Sequence, residues 1–191
     1  MEPEPDLPEV HAQSLDVTRV FVAGVDDSAW GSESVCDGWT VSELVNHIVT
    51  GNWWAMELVG GKTIAEVGDR YDGDVLGDDP LAAYDESAAA VAAAFRAPGA
   101  MDAACAVSYG PVPGWVYCGH RFIDVLIHGW DVATSTGEDP TLPAELVEAC
   151  WAVLEPQLEM LTGSGLFATA QPVAEDADRQ TALLAVLGRR A

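Results

Sequence analysis

From Trp115 to Thr136 the chain is apolar on almost every side of a helix and carries one narrow polar strip. Phe122, Ile123, Val125, Leu126, Ile127, Trp130 and Val132 fill most of the arc. At about 100° per residue, Tyr117, His120, Arg121, His128 and Asp131 all fall within about 60° of Asp124. A helix patterned this way has to be wrapped by other elements. It predicts a central helix of a helical assembly, and no run of alternating residues elsewhere suggests a sheet of any size.

The strip has two readings. It is the wet face of the helix, or it points inward and holds something. A solvent strip is normally built from Lys, Glu and Gln, which favour helix; this one holds His, Asp, Arg and Tyr. Asp124 and His128 stand at i and i+4, with Cβ atoms roughly 5–6 Å apart, close enough to share a cation. A third ligand must come from another element. The chain has four His. His11 lies at the start of the first helix, where an exposed, frayed position is expected. His47 borders the apolar stripe of a second helix, and Gly51, one turn on, is expected to leave room beside its imidazole. Considered alone, His47 reads equally as a hydrogen-bonded residue at the core edge. Taken with Asp124 and His128, it makes two imidazoles and a carboxylate, a set that leaves coordination positions open on a working metal.

The rest of the chain supplies partners for the central helix. Helices are predicted over roughly 8–25, 41–59, 80–97 and 115–136. Thr40 and Glu43 form a capping box for the second, Asp79 and Pro80 open the third, and Gly137 closes the fourth. "TLPAELVEACWAVLEPQLEML" reads as a fifth helix divided near Pro156, and 178–187 as a short terminal one. Residues 60–79 read as a Gly- and Asp-rich connection too polar to pack. Residues 98–115, with "YGPVPG", read as an extended crossover. Both are expected at the mouth of a site, with Trp53, Trp54 or Trp115 lining it. The expectation is one all-α domain over 1–191, a four-helix bundle with a long crossover and short extra C-terminal helices.

Charge narrows the function classes. Acidic residues outnumber basic ones 31 to 8, a formal net charge of −23. That excludes nucleic-acid binding through a basic surface, disfavours anionic membranes, and gives an anionic substrate no long-range attraction. Four scattered Cys form no CxxC, "MEPEPDLPEV" lacks a signal-peptide pattern, and no run reaches about 18 apolar residues, so a cytoplasmic protein with no transmembrane helix is expected. Oligomeric state is not legible, a homodimer being one arrangement the pattern allows.

"CDGWTVSELVNHIVTGN" (36–52) and "DVLIHGWDVATSTG" (124–137), supported by "GPVPG" (110–114) and "DADRQTALLAVLGRR" (176–190), resemble the DinB-like metal-binding bundles. More narrowly they resemble the branch related to the N-terminal domain of mycothiol-dependent maleylpyruvate isomerase. The resemblance implies a four-helix bundle holding a divalent metal, usually zinc, on His47, Asp124 and His128, with mycothiol as the thiol cosubstrate. In the isomerase the middle ligand is usually Glu, one methylene longer than Asp124. The full isomerase also carries a second, C-terminal domain, for which this length leaves no room.

The leading expectation is therefore a zinc-dependent thiol transferase or isomerase. A metal-stabilised thiolate would attack a small-molecule electrophile. Asp131 would hold the second nitrogen of His128 from behind, or equally pair with Arg121 or face water, and His120 would serve as a catalytic base or a further ligand, against the plainer reading of a surface residue. The alternatives are a hydrolase in which the metal activates water and a metal- or small-molecule-binding protein without catalysis.

Overall fold

Helix boundaries follow local chemistry. The computed structural model describes residues 5–158 and 169–190. Helix α1 spans Leu7–Gly24. Helix α2, Val41–Val59, begins at the Thr40 capping box, where Glu43 N–H donates to Thr40 Oγ1 and Thr40 N–H donates to Glu43 Oε2. Helix α3 is a single turn, Ile64–Val67, opened by a second capping box of Thr63 and Glu66. Helix α4, Pro80–Arg96, starts where Asp79 accepts from the Ala82 N–H at 3.0 Å. Helix α5, Gly114–Thr136, stops at Gly137, whose φ of 77° lies in the left-handed region that ends helices readily only at glycine.

Two compact units make up the chain, Leu7–Pro140 and Thr141–Ala191 with Met1–Asp6. In the first, α1 and α2 each pack against both α4 and α5. Side-chain pairs fix the directions. Thr18 on α1 donates to the Val125 carbonyl, and Gly24 faces Glu138, so α1 and α5 run parallel. Arg19 pairs with Asp85 and Glu9 with Arg96, so α4 opposes α1. Arg121 reaches Asn52 while His47 faces Asp124, so α2 opposes α5. Neighbours α2 and α4 are consequently parallel, and the chain between them must travel back along the bundle.

That traveller is 60–79, which corrects two expectations. The segment does pack: Glu57 of α2 binds Lys62, Arg70 and the Tyr71 hydroxyl, then Asn46 binds the backbone of Gly73 and Val75. As the crossover advances from 62 to 75, its partners on α2 recede from 57 to 46. Val67 and Leu76 bury their side chains beneath it. Polar residues here satisfy each other and the backbone, which a count of polarity does not reveal. Residues 98–113 form no extended crossover. They make a 3-10 turn, Ala100–Asp102, and a two-stranded antiparallel hairpin, β1 Ala104–Val107 with β2 Gly110–Pro113, in the register Cys105↔Val112.

The bundle core is apolar, centred on Leu44, Ile48, Tyr84, Phe95, Phe122 and Leu126. His11 sits inside it, fully buried and edge-on to Phe95 at 5.0 Å. The expected exposed His11 is thus overturned: α1 begins at Leu7, so His11 falls in its second turn and faces α4.

In the second unit α6, Ala144–Leu154, packs against a final helix, Arg179–Val186. Trp151 donates to the Arg179 carbonyl, and the Arg179 guanidinium lies over its ring. A 3-10 turn at Glu155–Gln157 takes Pro156, as its missing N–H requires. The expected continuation of this helix past 158 lies outside the described residues.

Candidate metal centre

Between Tyr117 and Ala133, every residue of α5 is buried except His120, Asp124 and His128. These three, four residues apart, form a partly open line on an otherwise enclosed helix. The polar strip is therefore narrower than its wheel: Tyr117, Arg121 and Asp131 are inside.

Helix α2 covers part of that line. His47 Nε2 lies 3.5 Å from Asp124 Oδ1, and His128 Nε2 lies 3.7 Å from the same oxygen. The two imidazole rings meet edge-on with centroids 4.8 Å apart. One ligand atom from each of His47, Asp124 and His128 falls within 4.8 Å of the others. His47 Nε2 is buried and has no hydrogen-bond partner. It therefore faces a carboxylate oxygen across a gap too long, or too poorly aimed, for a hydrogen bond.

Two of the three, His128 and Asp124, are held from behind. His128 Nδ1 is 2.9 Å from Asp131 Oδ2. Asp131, fully buried, also accepts from the Cys36 thiol at 3.3 Å. Arg121 Nη1 donates to Asp124 Oδ2 at 2.7 Å, which leaves Oδ1 turned to the imidazoles. Burial opposes ionisation of Asp124, but Arg121, His128 and His47 outweigh it and hold the carboxyl well below the usual carboxylate range. Burial pushes Tyr117 up to about 12, so it is no base at neutral pH. Cys118 is fully buried and packs in the core.

The loop before α2 supplies a wall. Glu33 and Thr40 pair in an antiparallel bridge, and Gly38, with φ 80°, closes the turn between them. The turn carries Cys36 to Asp131 and Trp39 over both imidazoles, at centroid distances of 4.9 Å to His47 and 6.1 Å to His128. The tryptophan packed on this cluster is therefore Trp39. Of those expected at a mouth, Trp53 stacks on Tyr71 of the crossover and Trp115 is exposed. The turn of the β1–β2 hairpin brings Tyr109 to His120, its hydroxyl 2.7 Å from Nδ1.

The structure brings together the three side chains that the sequence grouped, and sets Arg121, Trp39 and Cys36 around them and Tyr109 at His120, none of which the sequence assigned to the cluster. A signal existed for Arg121, an Arg three residues before Asp124 on one helix. None existed for the others, which arrive from loops. The room at Gly51 is taken up by Arg121: a Cβ there would strike its guanidinium, with Cζ at 2.7 Å.

Residues 11–133 match the family described as the mycothiol maleylpyruvate isomerase N-terminal domain. An uncharacterized protein of Mycobacterium tuberculosis, found in two strains, is 33% identical over 184 residues, 94% of this chain and 95% of that protein. The fold is similar to crystal structures of the mycothiol-dependent maleylpyruvate isomerase. For a substituted form of that enzyme the TM-score is 0.66 at 19% identity, over 82% of this chain and 69% of the other. For the isomerase itself it is 0.64 at 18% identity, with the same coverage.

Proposed function

Because this chain belongs to the mycothiol maleylpyruvate isomerase N-terminal domain family, we propose that it is a zinc-dependent enzyme joining a low-molecular-weight thiol, mycothiol, to a small electrophile, or isomerising that electrophile through the thiol. The observation that carries this reading is the convergence of His47 Nε2 and His128 Nε2 on one oxygen of Asp124.

The donor set fits a divalent cation. Asp131, as an acceptor, keeps the His128 proton on Nδ1 and leaves the Nε2 lone pair facing Asp124. The buried, unpartnered Nε2 of His47 is a ligand atom in want of a partner. Two nitrogens and one oxygen suit zinc and leave a position for a sulfur. When bound, the metal lowers the pKa of a coordinated thiol so that the thiolate prevails at neutral pH.

The chain's own residues do the rest. Trp39 shields the imidazoles from water on one side. His120, one turn before Asp124, is steadied at Nδ1 by Tyr109 and moves a proton at Nε2. Buried Arg121 offsets, beside the ligands, the negative charge that repels anionic substrates at long range. Four free cysteines are in keeping with a reducing cytoplasm.

Purified protein loaded with zinc should be incubated with mycothiol and a panel containing maleylpyruvate, an epoxide and an activated alkene. Turnover requiring both thiol and metal is expected, with loss in His128→Ala and a marked fall in His120→Ala. Ester or amide cleavage without thiol would replace the reading with a hydrolase. Bound zinc with no turnover of any kind would leave a binding protein.

A further inference from the structure

A buried arginine beside a ligand carboxylate needs a reason, since guanidinium burial is costly unless its donors are used. Arg121 makes three contacts through its two terminal nitrogens, while its buried Nε has no hydrogen-bond partner. Nη1 donates to Asp124 Oδ2 at 2.7 Å; Nη2 donates to Asn52 Oδ1 at 3.1 Å and to the Ile48 carbonyl at 3.4 Å. The first is on its own helix, the others on α2. The Ile48 carbonyl directly follows His47 in the chain. One guanidinium therefore grips α5 at one ligand and α2 beside another.

The space for it is made by Gly51. Any side chain at 51 would begin inside the Arg121 guanidinium, with Cζ at 2.7 Å and Nη2 at 2.8 Å from the new Cβ. Gly51 lies mid-helix, where glycine costs about 0.5–1 kcal/mol relative to alanine, and its φ is not in the left-handed region. Conformation does not require glycine there; the guanidinium in its present seat does, since a Cβ would displace it.

We propose that Arg121, seated in the notch at Gly51, is a positioning residue that confines Asp124 to one ligand oxygen and fixes α2 against α5 so that His47 meets it. With Oδ2 occupied by Arg121, Asp124 offers Oδ1 alone, so a coordination position stays open for a second molecule. This inference rests on the metal reading above and deepens it. The shorter Asp side chain makes the constraint stronger, because its carboxylate cannot swing away from Arg121 as a longer one could.

The test is a set of variants, R121K, R121M, G51A and R121M/G51A, read by zinc affinity against a chromophoric chelator and by the visible spectrum of the cobalt-substituted protein. Helical circular dichroism checks folding. R121M and G51A should each weaken zinc by about 10–100-fold, the usual effect of losing a partner behind a ligand. Both should also dim the cobalt bands as Asp124 becomes bidentate. R121K should recover part of the affinity, and the double variant should be no weaker than R121M. If R121M does not fold, G51A against the wild type decides. Unchanged affinity and spectrum in G51A, or losses that add in the double variant, would overturn the inference alone. A wild-type protein that takes up no zinc or cobalt would instead overturn the metal reading, and this inference with it.

Discussion

Two histidines, His11 on α1 and His47 on α2, share an unusual condition: each presents a buried ring nitrogen with no hydrogen-bond partner. Their surroundings differ entirely. Around His11 are Phe95 at 5.0 Å and the positive charges of Arg121 and Arg96. Around His47 are a carboxylate oxygen, a second imidazole and an indole face. The first environment makes an imidazole neutral and inert, an apolar side chain in effect. The second is the environment that the proposed metal site asks of a ligand. Residue type and burial alone do not separate these roles; the neighbouring charge does.

The largest expected effect sharpens that contrast. His47→Ala and His128→Ala should lose zinc on dialysis while keeping a helical far-UV spectrum, since the His47 side chain is 38% exposed and the core lies on other faces. His11→Ala should do the reverse, retaining zinc and losing about 2–4 kcal/mol of unfolding free energy by leaving a core cavity. Chemical denaturation with zinc analysis separates the two outcomes.

Acid should reveal His11 next. Burial, then Arg121 and Arg96, lowers its pKa from 6.5 to about 3. Between those values the unfolded chain binds the proton and the folded chain does not. Stability contributed by neutral His11 is therefore complete above about pH 6.5 and is lost as pH falls toward about 3, on the order of a few kcal/mol in all. His11→Leu should flatten urea midpoints across that window and change stability little at pH 7.5. An unaltered pH slope in the variant would break the comparison.

Smaller effects test the supports. Asp131→Asn should weaken zinc by about 10–100-fold with folding intact, because His128 loses its carboxylate partner. Thr40→Ala removes the side-chain cap of α2 and should cost about 1 kcal/mol in thermal or denaturant unfolding, with zinc still bound.

Legibility in the sequence followed the range of the interaction. The capping box at Thr40, the stop at Gly137 and the Asp79–Pro80 start act within a few residues, and they stand where spacing put them. The Asp124–His128 pair is likewise local; with only four His in the chain, elimination set His47 beside it, and the family motifs pointed to the same residue. What escaped was set by packing between distant segments. Nothing near His11 announces Phe95, 84 positions on, nor does anything near Gly51 announce Arg121, 70 positions on. The crossover at 60–79 reads as too polar to pack because its anchoring hydrogen bonds go to Asn46 and Glu57, outside the segment, although the Thr63–Glu66 capping box within it is as local as the one at Thr40.

The position taken by added zinc is the most direct test of the proposed site. Crystals of the zinc-loaded protein, measured on both sides of the zinc absorption edge, would locate it by anomalous difference. A single peak about 2.0–2.3 Å from His47 Nε2, Asp124 Oδ1 and His128 Nε2 is the predicted result. His128 also belongs to a second cluster, with Cys36 and Asp131, whose ligand atoms are equally close. A peak there, or none at either cluster, would contradict it.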